Sequence, residues 1–175
     1  MRAVAEIGGW AWYDFAGFLP QGNRENLRIA DTNFDEPALV TLLPVTPFAV
    51  VFHGSNAGSG AVVHIGGLLD AGRAAILHAM TATFKEHEIQ AVDVTERQEA
   101  THLQGLEPSS LANRGKLKQG IQLGFSREAR NLLFPPDASR EARGRRSSRL
   151  SSVARSINSA LEKTYPVAAA QLRQK

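Results

Sequence analysis

Apolar positions along this 175-residue chain change their period several times, and each change predicts an element. Phe48-Ala49-Val50-Val51-Phe52-His53 is β-branched and aromatic, as a buried strand should be. A glycine-rich loop at 54–60 separates it from Ala61-Val62-Val63-His64-Ile65, so the two stretches predict a β-hairpin. Gly66-Gly67 then opens a helix over about 68–87, in which Leu69, Ala71, Ile76, Leu77, Met80 and Phe84 recur at helical spacing. Residues 89–94 form a further strand candidate. Strand, strand, helix, strand is a mixed α/β arrangement.

Elsewhere the pattern is weaker. Trp10 to Phe18 holds five of the twelve aromatics and reads as a core-forming strand or turn. A base-stacking platform is the rival reading, but Asp14, Asp31, Asp35 and Glu36 would repel a phosphate backbone. Leu27-Arg28-Ile29-Ala30 suggests a short strand, and Pro37, Pro44 and Pro47 bracket a short helix or strand at 38–43. The stretch around Lys116, Lys118 and Gly120 is weakly patterned. Ser126 is suited to cap a short helix through Leu133, halted by Pro135-Pro136. Leu150, Val153, Ala154, Ile157 and Leu161 make one apolar stripe on a last helix that starts near Ser139 or Ser147. Pro166 marks its end or a kink.

Charge divides the chain. Residues 1–112 carry six Lys/Arg and thirteen Asp/Glu, a net of −7, whereas residues 113–175 carry fourteen and four, a net of +10. The expected organisation is therefore an α/β core at 1–112 and a basic helical extension at 113–175. Arg140, Arg143, Arg145, Arg146, Arg149 and Arg155, interleaved with serines, suit a polyanion, and nucleic acid is the expected partner. Two alternatives stand: a solubilising helix face, and a latch onto the acidic body.

The chain has no Cys, which excludes disulfides, thiolate nucleophiles and Cys-based zinc sites. No uninterrupted apolar run resembles a signal peptide or a membrane span, so a cytoplasmic location is expected. There is no Walker-type phosphate loop and no Gly-x-Ser-x-Gly. The strand–Gly66-Gly67–helix junction, with Arg73 two turns on, is the candidate phosphate or nucleotide site; packing is the alternative reason for its glycines. In a hairpin His53 and His64 stand roughly 10 Å apart, too far for one ion, which leaves the metal requirement open. Each is a candidate general base or a structural histidine.

Pro47, the strands at 48–53 and 61–65, Gly66 and Arg73-Ala74-Ala75 resemble the nucleotide-binding core of the ParB/sulfiredoxin superfamily. Gly8-Gly9-Trp10-Ala11-Trp12-Tyr13-Asp14-Phe15, the Ala30 to Val40 segment and the overall size are similar to plasmid fertility-inhibition factors of the oncogenic-suppression type. That resemblance implies a ParB/sulfiredoxin-like domain with ATPase and DNase activity on DNA in conjugative transfer. ATP would sit at Gly66, Gly67 and Arg73, and His64, His53 or Asp70 would activate water. The rival is a non-catalytic inhibitor that binds DNA or a type IV secretion coupling protein by charge alone.

Overall fold

The structure, a computed structural model, describes residues 2–15, 21, 29–57, 59–97, 103–134 and 147–174. The two strands expected from residues 48–65 form at Val50–Gly54 (β1) and Val62–Gly66 (β2), but they do not pair with each other. Ile121–Phe125 (β4) lies between them, parallel to β1 and antiparallel to β2. Gln90–Asp93 (β3) adds in parallel to the outer side of β2, so the order is β1-β4-β2-β3. The expected hairpin is thus corrected to a mixed sheet whose central strand comes from the basic half of the chain. Ile121, Leu123 and Phe125 alternate with Gln122 and Gly124, the period-2 pattern of a strand.

Five helices surround the sheet among the described residues: Arg2–Gly8 (α1), Pro37–Leu42 (α2), Asp70–Glu86 (α3), Arg127–Leu133 (α4) and Ser148–Arg173 (α5). On α3 the buried positions Gly72, Ile76, Met80 and Phe84 repeat every four residues and face the sheet. The α5 stripe buries Val153, Ala154, Ile157 and Leu161 in the same core, so this helix is part of the body. Pro166 lies inside α5, which runs unbroken to Arg173. Val50 and Phe52 pack towards these helices, whereas Ala49 and Val51 meet a second cluster around Phe34, Leu43 and Leu111 on the opposite face.

Caps fix the helix starts. Ser126 Oγ accepts the Ala129 amide at 3.1 Å, as the sequence suggested, and also accepts the Val62 amide at 3.0 Å. One buried hydroxyl therefore ties α4 to the first residue of β2. Ser147 Oγ accepts the Leu150 amide at 3.0 Å and starts α5. Ile29 and Ala30 form no strand; the rest of that expected element lies outside the described residues. Trp12 and Phe15 are 43% and 50% exposed, so the aromatic stretch is less deeply buried than a core strand would be.

The Gly66-Gly67 turn is held by backbone contact. Gly67 N–H donates to Gln104 O at 2.7 Å, and Leu69 N–H donates to Gly120 O at 3.0 Å. Gly67 has φ +105°, and a Cβ there would meet the Gly120 carbonyl. Gly67→Ala should therefore lower unfolding stability by about 2 kcal/mol or more in urea titration. Gly60, with φ +81° and nothing within 4 Å of a Cβ, should lose only about 1 kcal/mol on the same change.

Candidate active site

Register places His53, Gly124 and His64 in one row: His53 is opposite Gly124 across β1–β4, and His64 is opposite Gly124 across β4–β2. Two strand spacings separate the histidines by roughly 10 Å. The separation resembles the hairpin expectation, but a strand now intervenes. His64 is buried and its Nδ1 lies 3.3 Å from Gly124 O. The His53 ring leans across the missing side chain of Gly124, where a Cβ would lie 3.2 Å from its Cε1.

Beyond that row β1 and β4 end together, and a cavity of about 250 Å³ opens there. His53, Asp14 and Arg130 line it, with apolar residues of α1, α4 and α5 as its walls. Arg130 projects from α4 back over the strand ends. Its Nη1 donates to Phe125 O at 2.6 Å and to Ser55 O at 3.3 Å. Gly54 makes this possible, since a Cβ on it would come within 2.5 Å of the guanidinium. Among the described residues no carboxylate pairs with Arg130, which is only half-exposed. A partly desolvated guanidinium without a counter-ion, beside a histidine, is suited to hold a carboxylate.

The other expected site residues lie elsewhere. Because β2 runs against β4, Gly66 pairs with Gln122, at the end of the sheet away from Phe125. Gly67, Asp70 and Arg73 follow at that far end, so Asp70 is not brought to either histidine. Arg73 is engaged within the fold: Nη1 donates to Gly67 O at 2.6 Å and Asp70 Oδ1 at 2.7 Å, and Nε donates to Asp93 Oδ2 at 3.1 Å. Burial pushes the Asp93 carboxyl up, but the Thr95 hydroxyl and amide and the Arg73 guanidinium outweigh it and hold the group below its usual range. Of the arginines expected to grip a polyanion, Arg140, Arg143, Arg145 and Arg146 lie outside the described residues. Arg149 Nη1 donates to Leu132 O at 3.4 Å, and Arg155 is exposed on α5. Arg130 and Gly54 were not singled out from sequence. The available signal was the strand–Ser126–helix junction, which places a residue four positions on above the strand end.

A model of the poly-γ-glutamate hydrolase family matches residues 1–156. The chain belongs to that family. Among solved structures, a bacteriophage poly-γ-glutamate hydrolase superposes with a TM-score of 0.78 at 30% identity, covering 95% of this chain and 76% of that one. The zinc-free apo form of YndL superposes with a TM-score of 0.77, covering 93% of this chain and 77% of that one. Its identity is 21%, so this second likeness concerns fold alone. No match is found among curated protein sequences.

Membership of the poly-γ-glutamate hydrolase family overturns the expected fertility-inhibition identity and its ATP-linked DNase activity. The DNA and coupling-protein partners fall with it. The pattern that suggested a ParB/sulfiredoxin core has local causes here. Gly66 and Gly67 sit against the backbone of residues 103, 104 and 120, and Arg73 clips the α3 start to β3. The coarser expectation of a hydrolase agrees with the poly-γ-glutamate hydrolase family. Among the described residues no helix is long and apolar enough to cross a membrane.

A depressed carboxyl stabilises the fold fully above the unfolded Asp value of about 3.9 and loses that contribution as pH falls through its lower folded value. The thermal stability gap between the wild type and Asp93→Asn should therefore be widest near neutral pH. It should close as pH falls below about 3.9 in a melting series.

Proposed function

We propose that the cleft at the ends of β1 and β4 binds a γ-glutamyl polymer and hydrolyses its amide bonds. The observation that carries this reading is Arg130, a half-buried cation with no described carboxylate partner, set beside His53 in a cavity of about 250 Å³. The bacteriophage neighbour's name supplies the substrate class. In a γ-linked glutamate chain every residue carries a free α-carboxylate next to the scissile amide. The guanidinium Nε and Nη2 donate to no described group and offer that carboxylate a two-pronged partner. The basic half of the chain then serves a polyanion of carboxylates in place of the phosphates first expected.

Arg130 anchors the α-carboxylate and so fixes the amide carbonyl next to His53. His53 takes a proton from water as the oxygen attacks the carbonyl carbon, and returns it to the leaving nitrogen as the C–N bond breaks. The products are a γ-carboxylate and a new α-amino group. Asp14 lines the same cavity and is placed to stabilise the protonated imidazole.

The YndL neighbour is a zinc-free form of a protein, which raises zinc as a cofactor. Such ions take about three protein donors. Among the described residues no three His, Asp or Glu side chains come together, and the chain contains no Cys. The described residues alone do not make such a set, and no step above uses a zinc ion.

His53→Ala should lower kcat by about 10²-fold or more with little change in KM. Arg130→Ala should chiefly raise KM, with partial rescue by Arg130→Lys. Amine release from the polymer under both variants measures this. Unchanged kinetics in both would remove the cleft from the reaction.

A further inference from the structure

We propose that Arg114, which does not line the cleft, is a positioning residue that holds Asp14 beside His53 by way of Phe34. The inference rests on the use of Asp14 and His53 proposed above. Residues 10–15 form neither helix nor strand, so no backbone ladder fixes Asp14. Its neighbours do so instead. The Tyr13 and Phe15 rings both meet Phe34 edge-on, with centroids 6.3 and 5.2 Å away and planes at 76° and 84°. Edge-to-face contact at such distances is a favoured arrangement of aromatic rings. Asp14 stands between the two anchored residues and lines the cleft with His53 and Arg130.

Phe34 is itself pinned. It is 7% exposed and packs with Leu43 and Leu111. Its segment is a 3-10 turn, Asp31–Asn33, followed by residues 34–36 outside any helix or strand. Arg114 spans that segment. Its Nη1 donates to Phe34 O at 2.6 Å, and its Nη2 donates to Thr32 O at 2.7 Å and to Asp31 O at 3.3 Å. Nε donates to Ser109 O at 2.8 Å, within its own loop. The adjacent buried Ser110 hydroxyl donates to the Asp31 carboxylate. All three guanidinium nitrogens are thus engaged by main-chain carbonyls of two loops. A planar fork of fixed donors suits carbonyls held at fixed places, which a lysine ammonium does not match.

Two links therefore join Arg114 to the cleft: its hydrogen bonds set Phe34, and the Phe34 ring sets the residues on either side of Asp14. Among the described residues, Asp14, Arg130, Asp31, Tyr13 and Tyr165 are the ionisable side chains that share a cavity with His53. His64 lies beyond Gly124 in the same row. A carboxylate near the ring favours the imidazolium and raises the pH at which His53 loses its proton, by roughly half a unit for a pair that water reaches. Releasing Asp14 lowers that pH again. Asp31 also sits on the clamped turn, so a variant that spares every Arg114 bond is needed to isolate the part played by Asp14.

The test is an NMR titration of the His53 imidazole in the full chain, beside the acid limb of kcat/KM on γ-linked polyglutamate. Asp14→Asn, Arg114→Gln and Phe34→Leu should each lower the imidazole titration by roughly half a pH unit and move the acid limb with it. Phe34→Leu does so with the Arg114 bonds intact. The double variant Asp14→Asn/Arg114→Gln should shift no further than Asp14→Asn alone. If Asp14→Asn shifts the titration while folded Arg114→Gln and Phe34→Leu do not, the positioning role is overturned and the proposed cleft stands. Additive shifts in the double variant overturn it as well, because Arg114 would then act on His53 without Asp14. If Asp14→Asn leaves the titration unchanged, both the positioning role and the place of Asp14 in the reaction fall. Absence of polymer cleavage with every titration shift present would strike the proposed reaction and leave the clamp supported.

Discussion

The insertion of β4 between β1 and β2 is the constraint on which the rest of the molecule depends. Parallel pairing with β1 brings His53 and Gly124 into one row, and antiparallel pairing with β2 extends that row to His64. The same strand ends at Ser126, whose buried hydroxyl joins the first amide of β2 to the first turn of α4. One turn later Arg130 reaches back to the carbonyls of Phe125 and Ser55, and the cleft is closed on that side. Without β4 at the centre, neither histidine nor arginine would have a fixed place.

The two ends of the sheet do different work. At the far end the polar groups of the described junction are paired: Gly67 and Leu69 amides meet backbone carbonyls, and Arg73 is shared among Gly67, Asp70 and Asp93. Such a cluster holds α3 against β3 and offers little to a ligand. At the near end a guanidinium keeps donors that the described fold does not use, next to an imidazole and a carboxylate. Unequal satisfaction of two similar strand–turn–helix junctions distinguishes the structural junction from the one proposed to bind substrate.

Much of the local structure was legible in the sequence. The strands around 50 and 62, helix α3, the strand before Val94, the Ser126 cap and the α5 stripe all follow from periodicity and capping. Pairing was not legible, because a loop of suitable length between two strands favours a hairpin whenever a third strand goes unnoticed. β4 went unnoticed because Gln122 and Gly124 weaken its apolar signal and Lys116, Lys118 and Gly120 precede it. The charge division suggested nucleic acid, which membership of the poly-γ-glutamate hydrolase family overturns; net charge cannot distinguish carboxylate from phosphate. Gly66-Gly67 and Arg73 attracted attention as a phosphate cradle, whereas the same residues serve a tight backbone crossing and an ion-pair clip. Arg130 was invisible for the opposite reason: nothing in sequence alone shows that an arginine on α4 folds back over Gly54.

Linkage preference tests the account most directly. The purified chain would be incubated with γ-linked polyglutamate and, separately, with α-linked polyglutamate of matched length and charge, following new amino groups and polymer size. The account predicts shortening of the γ-linked polymer with stoichiometric amine release and no cleavage of the α-linked one, because only the former sets a carboxylate for Arg130 directly beside the scissile amide. A γ-linked polymer that keeps its length, or equal cleavage of both polymers, would contradict it.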